Sequence, residues 1–362
     1  MTFVEPAPIE TRPDAGRVLA GIAGHGAAFP QSRGQREIWD EFFAEHYEHR
    51  KKSRALWLRC GVERRHGVVD PTVEDVRWWS TEQRMERFAQ TSLPLGAEAI
   101  ARSLDDAGLD PKDVDHLAVV TCTGYGTPGL DLKLAEHMGM RPDVQRTQIG
   151  HMGCYAAIPG LATVSDAAVA RDRVGVMLCL ELTSLHIQPP SDDHQQLVAH
   201  ALFSDGAAAV TVVPGEGRFE VVDVAARTDH STSSMMTWDV TDLGFRMGLS
   251  TKVPEVLERH LEGLVDDLLG EHSLTRDDVS GWAIHPGGPR ILEVAAERLG
   301  LERSDLDASR AVLRDHGNVS SATVLLVLDE LRRTTALPAG SHVIAMAFGP
   351  GLTLYATLLR VR

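Results

Sequence analysis

Residues 148–182 read QIGHMGCYAAIPGLATVSDAAVARDRVGVMLCLEL, and residues 313–348 read LRDHGNVSSATVLLVLDELRRTTALPAGSHVIAMAF. Each runs from a polar, glycine-bearing turn into small residues that start a helix, then through the helix to an apolar stretch with the composition of a buried strand. The pairing continues upstream. HLAVVTCTGYGTPGLDLKLAEHMG (116–139) and GWAIHPGGPRILEVAAERLG (281–300) both read strand, Gly/Pro turn, helix. A period of about 160 residues is too long for a solenoid, whose units span about 20–50, and implies two duplicated domains. It sets Gly153-Cys154 against Gly317-Asn318, and the strand end at Thr121 to Thr123 against the strand end at His285. Halves related by a pseudo-twofold axis face each other at equivalent strand ends, so Cys154, His285 and Asn318 are expected to converge.

Outward from this repeat, strand-like RVLAGIAGHGAAF (17–29) precedes helical PLGAEAIARSLDDAGL (94–109), which keeps the whole chain in the α/β class. The second half is expected to begin near GRFEVVDVAARTDH, after the turn PGEG at 214–217. The expected division is a flexible start over 1–16, a first half over 17–214 carrying the cysteine, and a second half over 215–362 carrying the histidine and asparagine. No low-complexity linker separates the halves, so one compact unit is expected.

A chain of 362 residues with 43% hydrophobic content can bury a large core. Its formal charge of −15, from 36 basic and 51 acidic residues, argues against a nucleic-acid phosphate backbone as main partner. An anionic substrate would need a local basic patch. The four cysteines, Cys60, Cys122, Cys154 and Cys179, form no CxxC pair and suit a reducing cytoplasm. The N-terminus has neither a basic n-region nor an apolar h-region, and no uncharged apolar run approaches the roughly 20 residues of a membrane span.

Taken alone, Cys154 reads as a small buried hydrophobe, His285 as a structural histidine, and Asn318 as a helix-cap or turn residue. Taken together, at repeat-related positions, they form a coherent set: a thiolate to accept an acyl group and two hydrogen-bond donors to hold a developing oxyanion. The start of a helix after Cys154 favours its ionised form. No paired carboxylates are placed for glycoside hydrolysis. Gly124 to Gly129 matches GxGxxG formally, but Pro128 stands where that fingerprint begins a helix, and no acidic residue ends the next strand. His186, Asp192, Asp193 and His194 have no regular spacing for a metal, and none is expected.

The motifs GHMGCYAA (150–157), ALFSDGAAAVTV (201–212), WAIHPGGPRILE (282–293), RDHGNVSSATVLLVLDEL (314–331) and AFGPGLT (347–353), in this order, resemble those of the type III polyketide synthases related to chalcone synthase. The resemblance extends through VTCTGYGTPGLD (120–131) and, more weakly, RKKSRALWLRCGVERRH (50–66). It implies a thiolase fold, a five-layered αβαβα arrangement of two pseudo-twofold-related halves. It also implies a cytoplasmic homodimer, with Thr127 at the position that reaches across the interface.

By the same resemblance, Cys154 is the nucleophile that carries the starter and growing chain, ionised by pairing with His285. His285 and Asn318 bind the malonyl thioester carbonyl, and no metal or redox cofactor takes part. Acyl-CoA and malonyl-CoA are the substrates of an iterative decarboxylative condensation that ends in ring closure to a pyrone- or resorcinol-type product. Phe203 falls on the phenylalanine that walls the family's cavity, and Met247 replaces a second aromatic gatekeeper, with Phe245 nearby. Cys122 stands at a cavity-wall position, although a plain buried strand cysteine fits it as well. His186 lies near a residue that narrows the family's cavity.

Ala347 replaces the first glycine of the family's cyclisation loop, while Phe348, Gly349 and Pro350 stand. Lys51, Lys52, Arg54 and Arg59 resemble the basic entrance that holds the coenzyme A phosphates, and a solvated charged face is the alternative. Two rival functions remain at this level: a ketoacyl synthase III performing one condensation for acyl carrier protein, and a catalytically silent partner subunit.

Overall fold

The computed structural model describes residues 18–362, so the expectation for residues 1–16 falls outside it. The large sheet contains β1 (Ala20–Ala28), β2 (His116–Thr121), β3 (Gln145–Gly150), β4 (Gly175–Glu181), β5 (Gly206–Pro214), β6 (Phe219–Thr228), β7 (Val279–Ile284), β8 (His342–Gly349) and β9 (Thr353–Val361). Their order across the sheet is β7-β8-β9-β6-β1-β5-β4-β2-β3. Read inward from either end, the order is matched: β2, β4, β5, β1 answers β7, β8, β9, β6. The β2–β4 and β7–β8 pairs are parallel, whereas β4–β5 and β8–β9 are antiparallel. The axis passes between β1 and β6, which pair antiparallel from Ala20↔Val221 to Ile22↔Phe219. The second half has no counterpart of the edge strand β3 in this sheet.

Alternation along the strands creates the layers. In β4, Leu178 and Leu180 belong to one apolar cluster, while Met177 and Cys179 belong to another. In β8, Val343, Ala345 and Ala347 join that second cluster, while Ile344, Met346 and Phe348 face a third. Strands buried on both faces read as continuous apolar runs, which is why they stood out in the sequence. The shared middle cluster holds two helices, α2 (Ala157–Arg171) and α5 (Thr323–Thr334), through Leu161 and Val164 of one and Val324, Val327 and Leu328 of the other. The outer clusters are covered by α1 (Thr81–Ala107) on the first half, and by α3 (Val253–Glu271) and α4 (Pro289–Leu299) on the second. The result is the expected αβαβα sandwich, a thiolase fold.

Helix α1 departs from the sequence reading, which began it at Pro94. Proline favours a helix's first turn because it has no N–H to donate, yet here Pro94 lies mid-helix. The true start is marked by Ser80, whose hydroxyl accepts from Gln83 N at 3.3 Å while Gln83 Oε1 accepts from Ser80 N at 2.8 Å. This is a reciprocal capping box. Phe88 and Leu95 then carry the buried face of α1 past the proline.

Candidate active site

The repeat becomes a site where corresponding turns of the two halves meet. Gly153 and Gly317 both adopt left-handed backbone, with φ of +74° and +71°. Cys154 follows the first and Asn318 the second, each just ahead of a helix of the middle layer. A β-carbon on Gly153 would lie 2.5 Å from Pro350 Cδ, so glycine is required there both for its backbone and for the packing of the 348–351 loop. His285 follows the last residue of β7, and its backbone N–H donates to Met346 O at 2.9 Å. Cys154, His285 and Asn318 are 6%, 1% and 2% exposed, and all line one cavity of about 450 Å3.

The hydrogen bonds of Asn318 orient its amide. Oδ1 accepts from Ser320 N at 2.9 Å and from Thr323 Oγ1 at 3.4 Å. That leaves the NH2 group to donate into the cavity. The Asn318 backbone is bridged to Phe203, with Asn318 N donating to Leu202 O and Ser204 N donating to Asn318 O. Phe203 is thereby held beside the asparagine on the cavity wall. Neither ring nitrogen of His285 has a hydrogen-bond partner, and its ring stands edge-on to Phe348 with centroids 5.6 Å apart. Buried polar atoms are normally paired, so the two unbonded nitrogens mark this ring out.

The expected thiolate–imidazolium pair is not formed. Cys154 Sγ has Ser320 Oγ as neighbour at 3.5 Å and makes no hydrogen bond to His285. Burial pushes the thiol up to about 12 and the imidazole down to about 3. Both shifts favour the uncharged forms of the two groups.

Cys122, Met247, Phe348 and Pro350 line the same cavity. Gly349 does not. It backs the nucleophile instead, where a β-carbon would lie 3.1 Å from Cys154 N. The thiol of Cys122 is pushed well above its usual range, first by burial and then by Glu181. Glu181, fully buried, was missed by sequence reasoning. It accepts from Cys122 N at 3.0 Å, Thr123 Oγ1 at 2.8 Å and Ser321 Oγ at 2.6 Å, and so ties the floor of one half to the Asn318 turn of the other. Ser320 was missed as well. Its hydroxyl lies between the two cavity thiols, 3.5 Å from Cys154 Sγ and 3.7 Å from Cys122 Sγ.

His186 does not line this cavity. Its Nδ1 accepts from Phe245 N at 3.0 Å and its Nε2 donates to Thr123 O at 2.8 Å, so both nitrogens are used by the backbone. Burial drives its pKa down to about 3, which fixes a neutral ring. The residue that reaches the cavity from this region is Trp238, and its Nε1 donates to Cys122 O at 2.8 Å.

Of the basic stretch, only Arg59 lines the cavity; Lys51, Lys52 and Arg54 do not. Helix Lys51–Arg59 turns Leu56, Arg59 and Cys60 toward the opening, and Lys52 shares that face one turn earlier. Lys51 and Arg54 point elsewhere, and Arg54 is 3.9 Å from Asp40. Arg290 and His194 are exposed at the same rim; Arg290 lies within the motif WAIHPGGPRILE and His194 enters the sequence reading only as a candidate metal ligand, so neither is singled out for this place. Among the described residues, no three His, Cys, Asp or Glu side chains are arranged to hold a metal ion.

The family description "Chalcone and stilbene synthases" matches this chain twice, its N-terminal domain over residues 20–216 and its C-terminal domain over residues 224–362. The 1,3,6,8-tetrahydroxynaphthalene synthase of Streptomyces peucetius subsp. caesius is 33% identical over 357 residues, covering 96% of this chain and 94% of the relative. A 3,5-dihydroxyphenylacetyl-CoA synthase of Amycolatopsis orientalis is 31% identical over 351 residues, covering 94% of both. Among solved structures, PKS-I of the brown alga Ectocarpus siliculosus superposes with a TM-score of 0.88 at 29% identity, covering 97% of this chain and 100% of the other. The type III polyketide synthase domain of Steely1 from Dictyostelium gives 0.89 at 28% identity, with 95% and 99% coverage. Sequence, fold and the meeting of the two halves at Cys154 thus agree, and the chain belongs to the chalcone and stilbene synthase family of type III polyketide synthases.

Proposed function

We propose that Cys154 carries the starter and growing acyl chain, and that His285 and Asn318 bind the malonyl thioester. The observation that carries this reading is the convergence of the three on one buried cavity, with the imidazole nitrogens and the asparagine NH2 free of protein partners. His285 accepts the thiol proton as Cys154 Sγ attacks the starter's thioester carbon. The imidazolium then returns that proton to the departing coenzyme A sulfur, leaving acyl-Cys154 and a neutral ring. Malonyl-CoA next places its thioester oxygen against Asn318 Nδ2 and the His285 N–H. Loss of carbon dioxide leaves the electron pair as an enolate, whose oxygen those donors stabilise. The enolate carbon attacks acyl-Cys154, the Cys154–acyl bond breaks, and the chain, two carbons longer, resides on coenzyme A.

Return of that chain to Cys154 permits another round, and cyclisation yields a pyrone- or resorcinol-type product. Apolar Phe203, Met247 and Phe348 exclude water from the ester. Because hydrogen-bond donors stabilise the enolate, the proposed chemistry uses no metal or redox cofactor. Arg59 at the rim, with Lys52 about two turns earlier on the same helix face, is assigned to the coenzyme A phosphates. We also assign the chain to the cytoplasm and to a homodimer. In support of the latter, edge strand β3 lies at the end of the sheet, and Tyr125 and Leu132 nearby in sequence are 69% and 40% exposed. The halves are taken to divide at about residue 215.

The test is Cys154→Ala incubated with malonyl-CoA. Acyl-enzyme and condensation product should vanish, while carbon dioxide release persists because His285 and Asn318 remain. Complete loss of decarboxylation in a folded variant would place Cys154 in that step too and overturn this division of labour.

A further inference from the structure

Two imidazoles 250 residues apart in sequence meet behind the Asn318 turn. His316 ends the helix Asp307–His316, and only Gly317, at φ +71°, separates it from Asn318. The His316 ring lies flat on Phe29, with centroids 4.3 Å apart and planes at 10°, and His66 lies on the same phenyl at 4.6 Å and 27°. Their own centroids are 5.3 Å apart, so both rings sit side by side on one face of Phe29, with His66 Nε2 and His316 Nδ1 at 3.0 Å.

The partner at the far end fixes where the protons are. His66 Nδ1 is 3.0 Å from Pro30 O, and a carbonyl only accepts, so Nδ1 holds the proton and Nε2 the lone pair. His316 Nδ1 therefore donates to His66 Nε2. Burial lowers the pKa of both imidazoles, that of His316 to about 4, which favours the uncharged rings that this one-way chain of bonds needs.

His66 also holds the turn through its backbone. Its N–H donates to Ser204 Oγ at 2.8 Å, and its carbonyl accepts from Asp205 N at 3.0 Å. The neighbouring segment 202–204 pairs with Asn318 on both sides, Leu202 O accepting from Asn318 N and Asn318 O accepting from Ser204 N. Gly317 packs against the same segment, where a β-carbon would lie 2.8 Å from Ser204 Cβ. Neither His66 nor His316 lines the active-site cavity, so neither touches a substrate held there.

We infer that His66 and His316 are positioning residues for the oxyanion donor: their hydrogen bond fixes the helix end from which the Asn318 turn departs, and with it the aim of the Asn318 NH2 group. The inference rests on the polyketide synthase reading and goes beyond it by naming what aims that donor. A donor stabilises an enolate oxygen only at hydrogen-bond distance, and a misplacement of about 1 Å can cost about 10²-fold in rate. In the proposed scheme starter loading uses Cys154 and His285, whereas enolate formation also needs Asn318. Loss of the imidazole bond should therefore separate the two steps.

The test compares the unaltered protein with His316→Phe, which keeps a flat ring on Phe29 but has no donor, and His316→Asn, whose side-chain N–H can stand where Nδ1–H stood. Two rates are measured for each: carbon dioxide release from labelled malonyl-CoA, and acyl-Cys154 formation from an acyl-CoA starter by intact-protein mass. His316→Phe should release carbon dioxide at least about tenfold more slowly while loading starter at the original rate, and His316→Asn should recover most of the loss. Placed in an Asn318→Ala background, His316→Phe should have no further effect, because the donor it aims is gone. A folded His316→Phe that decarboxylates at the original rate would overturn the inference. So would a His316→Asn no faster than His316→Phe, an equal fall in loading and decarboxylation, or a full additional loss in the Asn318→Ala background. Should His316→Phe fail to fold, His66→Phe, which removes the acceptor instead, decides by the same two rates: a selective loss of decarboxylation supports the inference, and unchanged rates refute it. An unaltered protein that neither loads starter nor releases carbon dioxide would instead refute the underlying reading, and the inference with it.

Discussion

Under the proposed mechanism, the first event is loss of the Cys154 thiol proton. Burial pushes the thiol up to about 12, which favours the thiol form near neutral pH and makes the reactive thiolate grow with pH. Alkylation of Cys154 by iodoacetamide should therefore accelerate about tenfold per pH unit between pH 7 and 9 without levelling. The rate is followed by peptide mass spectrometry with the other three cysteines as internal references. A plateau reached below pH 7 would reveal a thiolate already paired with His285. Asn318→Ala removes an oxyanion donor and should lower decarboxylation and condensation together, by about 10²–10³ in kcat. An unchanged decarboxylation rate would remove Asn318 from that role.

At the scale of single residues, the three reactive positions were legible because the repeat aligns Cys154 with Asn318 and brings His285 to a strand end. What the sequence hid were bonds made across long separations. The neutral ring of His186 depends on Thr123 O and Phe245 N, 63 and 59 residues away. Glu181 reads as the end of an apolar strand, and only folding surrounds it with donors from both halves.

Among elements, the turn before Cys154 has the strictest demands. Gly153→Ala forces a side chain onto left-handed backbone and into Pro350, and should cost about 1–3 kcal/mol of stability. Turnover should fall further than stability alone explains, because Cys154 moves with the turn. Denaturant midpoints and kcat/KM measured together test this, and an unchanged pair of values would contradict it. The helix Lys51–Arg59 gives a second case, in which a basic run was readable but its register was not. Charge marks the stretch, whereas the 3.6-residue turn decides that Arg59 and not Lys51 meets the cavity. Arg59→Ala should raise KM for acyl-CoA severalfold, with kcat little changed and a weaker dependence on salt, and Lys51→Ala should leave these values as they are. Equal effects of the two would point to general surface charge. Trp238 was hidden for a related reason: it faces Met247 across a hairpin that its own short segment does not announce.

On the scale of the molecule, duplication explains both the fold's readability and the site's position. Strands buried on both faces made the sandwich visible as apolar runs, and glycine turns at equivalent places marked where the halves meet. The missing counterpart of β3 shows where the duplicated halves have diverged in the sheet. Iterative condensation on Cys154 is decided by giving the purified protein isotopically labelled malonyl-CoA with acyl-CoA starters of graded length and identifying the products by mass spectrometry. Cyclised products retaining one starter and two or more malonyl-derived units are expected, without added carrier protein. A single β-ketoacyl product, formed only when acyl carrier protein is supplied, would contradict the account.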